Sequence, residues 1–138
     1  MGTRFLIVDD NELVRRSLRA VLRTRPGWEV CGEAPDGATA VEMVRNLQPD
    51  LVMLDFQMPG MNGIETARRM LEIAPTAPIV LFTQHAGADL EKHALEAGIR
   101  SVVSKTNPSS MMGIIEALLS PRGVEQGPES SGPKSCDK

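Results

Sequence analysis

Five short runs of consecutive apolar residues, each followed by a segment of helical periodicity, constrain the fold of this chain most strongly. The runs cover residues 5–8, 30–31, 51–54, 79–82 and 102–103. Continuous apolar runs of this length are typical of strands that are buried on both faces, as in a parallel sheet. Strand and helix repeated five times with short connections predict an α/β fold. The expected architecture is a five-stranded parallel sheet in a three-layer (βα)5 sandwich, for which the flavodoxin-like strand order 2-1-3-4-5 is the natural candidate.

The first helical segment carries its apolar residues and its arginines on different faces. The apolar residues recur at helical spacing on one face, which we expect to be buried. That face contains Val14, Leu18, Val21 and Leu22. Charged residues that point elsewhere are typical of a solvated surface. Here they are Arg15, Arg16, Arg19 and Arg23.

The length and the composition predict one domain followed by a tail. A chain of 138 residues and 15.0 kDa is long enough for a single domain with a sizeable core. From residue 120 onward, ten of 19 residues are Gly, Pro or Ser, and none is Leu, Ile or Phe. Such a segment buries too little apolar surface to offset the entropy of ordering it. We therefore expect a domain over residues 1–119 and a flexible tail over residues 120–138.

Charge and hydropathy argue against several classes of function. The chain has 15 basic and 18 acidic side chains, whereas non-specific nucleic-acid binding needs a basic surface, so direct nucleic-acid binding is not expected. No apolar run approaches the roughly 20 residues that span a bilayer, and we expect no contact with membranes. The two cysteines stand outside any CxxC pair or Cys/His cluster, which is typical of a reduced, cytoplasmic chain.

Polar side chains directly follow four of the apolar runs. Asp9 and Asp10 follow the first run, Asp55 follows the third, and Thr83 follows the fourth. Lys105 comes two residues after the fifth run. Because ligands of open parallel sheets bind outside the carboxyl ends of the strands, we expect these side chains to meet at one edge of the sheet.

The charges at this edge predict a cation site. Three carboxylates in one pocket repel one another unless a cation joins them, and a single lysine offsets only part of that charge. Mg²⁺ takes oxygen ligands from one or two carboxylates and from water. Together with a nucleophilic aspartate, a lysine and a threonine hydroxyl, it equips such a site to form an acyl phosphate. In the alternative interpretation, Asp9 and Asp10 serve only as the N-cap of the first helix, a role that Asn11 can also fill.

The sequence resembles the receiver domains of two-component response regulators over residues 4 to about 119. The motifs are Val8-Asp9-Asp10, then Thr83 after the fourth strand and Lys105 three residues before Pro108. The most specific motif follows the third strand and reads Asp55-Phe56-Gln57-Met58-Pro59-Gly60-Met61-Asn62-Gly63. The segments Thr83-Gln84-His85 and Ala97-Gly98 are most similar to receivers of the NarL/LuxR type, which elsewhere precede a DNA-binding domain that this sequence does not contain.

The resemblance implies a metal site and a phosphoryl acceptor. Asp55 would accept the phosphoryl group and would also contact Mg²⁺. Asp10 would bind the metal directly, and Asp9 would bind it through a water molecule. Gln57 would give its backbone carbonyl to the metal.

The resemblance also implies roles for the residues that face the phosphoryl group. Thr83 would hydrogen-bond to it and move with the switch. Lys105 would pair with Asp55 first and with the phosphoryl oxygens later. Gln57 and His85 occupy the two positions that in this family tune how fast water attacks the acyl phosphate.

The function implied is that of a stand-alone signalling receiver, not of an enzyme with a separate substrate. It would take a phosphoryl group from a histidine kinase or phosphotransfer protein and catalyse only its own phosphorylation and dephosphorylation. Output would pass to an unknown downstream protein, from a monomer or a phosphorylation-dependent dimer. In this family the first helix commonly meets the kinase, which makes Arg15 and Arg19 candidates for docking.

One position departs from the family pattern and keeps other functions open. Val102 stands where receivers often have Tyr or Phe as a switch residue, so the usual switch between threonine and an aromatic ring is in doubt. The alternative function is therefore a pseudo-receiver that is never phosphorylated and acts as an interaction scaffold. A phosphatase or flavin protein is a lesser alternative, because the segment Asp55-Phe56-Gln57 lacks a second acid and no Gly-rich loop follows the first strand.

Overall fold

The computed structural model describes residues 2–84, 86–106 and 109–119. The sheet and four helices belong to one compact unit that ends at Thr106, and the fifth helix belongs to a second unit. The predicted tail over residues 120–138 and the residues 107–108 before the fifth helix lie outside the described residues.

The five predicted strands form one parallel sheet. The observed order is β2-β1-β3-β4-β5, which confirms the predicted strand order and fold class. The second strand extends well beyond the predicted run because only part of it is apolar. The strands are β1 (Thr3–Val8), β2 (Trp28–Ala34), β3 (Leu51–Leu54), β4 (Ile79–Thr83) and β5 (Ser101–Ser104).

A helix follows each strand, as predicted. Among the described residues, no helix is both long enough and apolar enough to cross a bilayer. The helices are α1 (Glu12–Leu22), α2 (Gly37–Leu47), α3 (Gly63–Ile73), α4 (Ala88–Glu96) and α5 (Ser109–Leu119).

The central strands are buried because both of their faces carry apolar side chains. Successive residues of a strand point to opposite faces. On one face, Leu6 and Val8 of β1 join an apolar cluster with residues of α2, α3 and α4. On the other face, Phe5 and Ile7 are fully buried, and the ring of Phe5 lies 4.9 Å from that of Trp28 between centroids. This packing fixes the ends of β1 and β3, after which the acidic residues follow.

Side chains cap the first three helices at their N-termini. The carboxamide oxygen of Asn11 accepts from the amide of Leu13 at 2.8 Å, and that of Asn62 accepts from Glu65 at 2.9 Å. Asp36 caps α2 by accepting from the amide of Thr39, and this hydrogen bond holds the pKa of Asp36 below its ordinary value. Each cap fixes where its helix begins, and so sets the length of the loop between that helix and the preceding strand.

The surface of α1 differs from the expectation in two respects. Leu18 and Leu22 are buried as predicted, but Val21 is 38% exposed and lies at the margin of the buried face. The arginines do not form a purely solvated face, because Arg15 and Arg19 both pair with Glu33 of β2. The prediction failed here because helical periodicity does not report which strand residues lie opposite the helix.

The edge strand β2 contains a bulge. Phe5 pairs with Val30 and Leu6 pairs with Gly32, so Cys31 is an extra residue without a partner in β1. A bulge of this kind bends a strand and increases its local twist. Partial burial raises the pKa of the Cys31 thiol, which keeps it in the neutral form.

A close backbone contact joins α3 to the loop that carries Asp55. The amide of Gly63 donates to the carbonyl of Phe56 at 2.8 Å. A Cβ atom at position 63 would collide with the backbone oxygen of Asp55 and lie 2.9 Å from the Cα of Phe56. Only glycine allows this approach, so Gly63 helps to fix the main chain beside Asp55.

We expect Gly63→Ala to lower the free energy of unfolding by about 1–3 kcal/mol because two backbone segments must move apart. Gly113→Ala is the matched control, since a Cβ there meets no atom within 4 Å. In a helix interior it should raise the free energy of unfolding by about 0.5–1 kcal/mol. Urea denaturation of both variants measures the difference, and equal effects would contradict the close contact.

Candidate functional site

A cavity of about 270 Å³ opens at the carboxyl ends of β1, β3, β4 and β5. The six residues predicted to bind the metal or the phosphoryl group line it: Asp9, Asp10, Asp55, Gln57, Thr83 and Lys105. Of the residues that the structure describes, Asn11, Val14 and Gln84 also line it. The cavity exists because parallel strands end at one edge of the sheet and their polar residues follow directly.

Three carboxylates are crowded together in this cavity. One oxygen from each of Asp9, Asp10 and Asp55 lies within 4.8 Å of the other two. Asp9 is only 2% exposed and Asp55 only 6%, whereas Asp10 is exposed to solvent. Carboxylate oxygens are ligands that a hard divalent cation prefers, so the donor set fits Mg²⁺.

Lys105 lies between the two buried carboxylates. Its Nζ atom is 2.7 Å from Oδ2 of Asp9 and 3.4 Å from Oδ1 of Asp55. The resemblance implied a pair with Asp55, but the shorter contact is with Asp9. The backbone amide of Lys105 donates to the carbonyl of Thr83 at 2.8 Å, and the ring of Phe82 lies 5.9 Å from the ammonium group. These contacts direct the lysine into the cavity rather than into solvent.

Asp9 is held at every one of its polar atoms. Its amide donates to Ala34 at 3.0 Å, and its Oδ1 accepts from the amide of Asn11 at 2.9 Å. Its Oδ2 accepts from Lys105, and its backbone carbonyl accepts from Nη1 of Arg15 at 2.5 Å. Asp9 is therefore a fixed element of the site.

Asp10 is placed differently from its neighbour. Within the described ranges, its carboxylate has no hydrogen bond or ion pair, and the residue lines the cavity while remaining exposed to solvent. Asn11 caps α1, so neither aspartate is needed for the helix-cap role that the sequence left open. The Asp10 carboxylate is thus available to a ligand.

The pKa of the Asp55 carboxyl group lies above its ordinary value. Burial raises its pKa above the ordinary value, and the nearby charge of Asp9 raises it further. The ammonium of Lys105 and the amide of Phe56 oppose these effects without cancelling them. An additional cation near Asp55 would favour its ionised form.

The remaining predicted positions have varied surroundings. Thr83 is buried at the end of β4, opposite Ser104 of β5, and Gln57 is exposed at the rim of the cavity. His85 lies outside the described residues. Val102 packs against the apolar cluster beneath α2, α3 and α4. His93 is exposed on α4, as predicted, where its Nδ1 lies 2.7 Å from the carbonyl of Asp89.

Two contacts of the site were not predicted as such. Arg15 was expected to be solvated or to meet a kinase, but it contacts the Asp9 carbonyl and is only 15% exposed. Asn11 was expected only as a possible helix cap, but its amide also holds the Asp9 carboxylate. Their positions in the sequence could have indicated these contacts, because both residues follow Asp9 within two turns of the first helix.

Comparison with known proteins identifies relatives for nearly the whole described chain. Residues 5–116 match the family described as the response regulator receiver domain. The chain is 37% identical to the chemotaxis protein CheY of Thermotoga maritima, over 86% of this chain and 96% of CheY. It is 41% identical to a protein-glutamate methylesterase/protein-glutamine glutaminase of Pyrococcus horikoshii, over 80% of this chain but only 30% of that longer protein.

Two solved structures show the same architecture. A two-component response regulator of the LuxR family from Aurantimonas sp. SI85-9A1 superposes with a TM-score of 0.83 at 34% identity, covering 96% of this chain and 91% of that one. A chain of the CheX-CheY-BeF3-Mg complex from Borrelia burgdorferi superposes with a TM-score of 0.73 at 26% identity, covering 82% of this chain and 89% of that one. The fold, the acidic edge of the sheet and the family match agree, and the chain belongs to the family of response regulator receiver domains.

Proposed function

We propose that this chain accepts a phosphoryl group on Asp55 in a reaction that depends on Mg²⁺. The observation that carries the proposal is the convergence of three carboxylates, Lys105 and Thr83 in one cavity at the strand ends. The solved CheX-CheY-BeF3-Mg complex of a related receiver supports it, because that complex contains Mg²⁺ and BeF3. The phosphoryl donor would be the phosphohistidine of a kinase or phosphotransfer protein.

In this proposal Asp55 is the nucleophile. One of its carboxylate oxygens forms a bond to phosphorus while the bond between phosphorus and the donor breaks, and the electron pair leaves with the donor. The reaction needs the ionised carboxylate, which burial disfavours. The hydrogen bond from the Asp55 amide to the carbonyl of Val8, at 2.9 Å, holds the nucleophile at the end of β3.

Asp10 and Asp55 would hold the metal directly, with the Gln57 carbonyl beside them and Asp9 acting through water. The assignment is supported by the carboxylate of Asp10, which has no hydrogen bond or ion pair to any described residue, and by the bonds that both carboxylate oxygens of Asp9 already accept. Bound Mg²⁺ would neutralise charge on the carboxylates and on the phosphoryl oxygens. Asp10 can bind the metal without giving up another interaction, because its carboxylate has no other partner among the described residues.

Lys105 and Thr83 would contact the phosphoryl oxygens. Lys105 already lies within 3.4 Å of Asp55 and is 14% exposed, so a small movement of its ammonium group reaches the phosphoryl group. Thr83 is buried at the adjacent strand end. Because Lys105 donates its amide to the Thr83 carbonyl, the two residues are mechanically connected.

The phosphorylated state would alter the surface that meets a downstream protein in the cytoplasm. Two kinds of relative suggest different downstream partners. CheY and the methylesterases are chemotaxis-type proteins, whereas the Aurantimonas receiver belongs to the LuxR family. The loop sequence after Thr83 favours the NarL/LuxR subfamily within this proposal. The family match ends at residue 116, which supports a receiver domain over residues 1–119 followed by a tail.

The second candidate function is that of a scaffold that is never phosphorylated. The packing of Val102 against the apolar cluster favours the scaffold. This position carries valine in place of an aromatic residue, so it has no ring that could change rotamer as a switch. The complete set of acidic residues, Lys105 and Thr83 favours the phosphorylated receiver instead.

We expect a small acyl phosphate to add one phosphoryl group to the chain in the presence of Mg²⁺. Intact-protein mass spectrometry measures the mass gain directly. Asp55→Asn should abolish the gain because the amide cannot act as the nucleophile. Asp89→Asn is the matched control, since Asp89 lies in the first turn of α4 and does not line the cavity.

The outcome separates the two candidate functions. Modification of the wild type and of Asp89→Asn, but not of Asp55→Asn, supports the phosphorylated receiver. A wild-type chain that stays unmodified with both the small donor and a histidine kinase would contradict that function and favour the scaffold.

We expect Asp10→Asn to weaken Mg²⁺ binding about tenfold or more, because it removes a charged ligand of the proposed metal site. The metal-free variant should be at least as stable as the wild type, since the substitution relieves repulsion among three carboxylates. Calorimetric titration with Mg²⁺ and thermal unfolding without it test both statements. Unchanged Mg²⁺ affinity would remove Asp10 from the metal site.

The raised pKa of Asp55 predicts a pH-dependent stability of the metal-free protein. The folded state holds the proton more tightly than the unfolded state, so stability falls as pH rises from the ordinary aspartate pKa through the raised value. Asp55→Asn should therefore be more stable than the wild type at pH 7 and lose this advantage below the ordinary pKa. Thermal unfolding across pH measures the difference, and an advantage that persists in acid would exclude ionisation as its cause.

A further inference from the structure

Arg15 connects three elements beside the acidic cavity. It lies on α1, its Nη1 donates to the backbone carbonyl of Asp9 at 2.5 Å, and its Nε donates to Oε1 of Glu33 at 3.2 Å. Asp9 follows β1 and Glu33 lies in β2. The side chain of Arg15 is only 15% exposed, so these contacts are largely shielded from water.

Glu33 holds Arg15 in place from the opposite side. Its two carboxylate oxygens are used by different arginines, since Oε1 accepts from Arg15 and Oε2 from Arg19. A guanidinium is planar and donates in fixed directions. The bond from Nε to Glu33 orients the guanidinium plane, and in that orientation the Nη1 of Arg15 donates to the Asp9 carbonyl.

The carbonyl that Arg15 binds belongs to the peptide group between Asp9 and Asp10. Holding that peptide plane restricts the backbone rotation on each side of it, and so sets where the Asp10 side chain begins. The Asp9 carboxylate is fixed independently by Asn11 and Lys105. Asp10 has no such bond among the residues described, so its position depends on the main chain.

We propose that Arg15, held by Glu33, is a positioning residue that orients Asp10 for metal binding by clamping the peptide between Asp9 and Asp10. The inference rests on the proposed function, because it assigns Asp10 to the metal. It gives Arg15 a role inside the protein instead of the kinase-docking role that the resemblance suggested.

The charge of Arg15 and its role as a clamp predict opposite changes in Mg²⁺ affinity when the residue is replaced. Removing a cation near an acidic site should strengthen Mg²⁺ binding if only charge matters. Removing a clamp should weaken it, because a group that orients a metal ligand typically contributes about tenfold or more to affinity. Arg19 is the matched control, since it carries the same charge and pairs with the same Glu33 but makes no contact with Asp9 in the described structure.

We expect Arg15→Met to raise the dissociation constant for Mg²⁺ about tenfold by calorimetric titration, and Arg19→Met to leave it unchanged or lower it. Arg15→Lys keeps the charge but cannot donate to Asp9 and Glu33 in the same planar geometry, so it should also weaken binding. In the metal-free protein, the ¹³C resonance of the Asp9 carbonyl should move in Arg15→Met and stay in place in Arg19→Met. Thermal unfolding shows that each variant is folded.

The results distinguish failure of this inference from failure of the proposed function. A wild-type chain that does not bind Mg²⁺ would refute the metal site itself. Wild-type binding together with equal affinity in Arg15→Met, or with an unmoved Asp9 carbonyl resonance in that variant, would refute the clamp alone. If Arg15→Met does not fold, the affinity of Arg15→Lys decides, and wild-type affinity in that variant overturns the inference.

Discussion

Mutual repulsion among carboxylates at the carboxyl edge of the sheet is the constraint on which the rest of the site depends. Two of the three carboxylates are almost fully buried, and all three converge within 4.8 Å. Burial removes the water that would otherwise screen them, so their charges interact strongly. The ammonium group of Lys105, the residue after β5, contacts the two buried carboxylates and so connects the ends of three strands. The fold therefore holds a charge imbalance that a divalent cation is suited to correct.

The carboxylates respond to this constraint in three different ways. Asp9 is bonded at each polar atom and behaves as part of the scaffold. Asp10 remains open to solvent, and Asp55 sits where burial disfavours its charge. In the proposed function, groups of one chemical type would thus serve as support, as metal ligand and as nucleophile because their surroundings differ. A buried carboxyl group with a raised pKa costs stability at neutral pH, and costs of this kind are common at functional sites.

The fold and the membership of the cavity could be predicted because both follow from local patterns. Continuous apolar runs mark buried parallel strands, and the residues after them must meet at one edge. The partner of each side chain could not be predicted in the same way. Lys105 lies closer to Asp9 than to Asp55, and Arg15 turns inward to Glu33, because these choices depend on how strands and helices pack. The exposure of Val21 has the same origin.

The bulge in β2 bears on how this protein behaves at high concentration. An edge strand presents unpaired backbone groups to which another chain can add a strand. In β2 the extra residue Cys31 interrupts the regular spacing of those groups, and the exposed side chain of Glu29 adds charge nearby. Both features disfavour self-association by strand addition. The β2 edge of the sheet is thus a poor template for strand addition by a second chain.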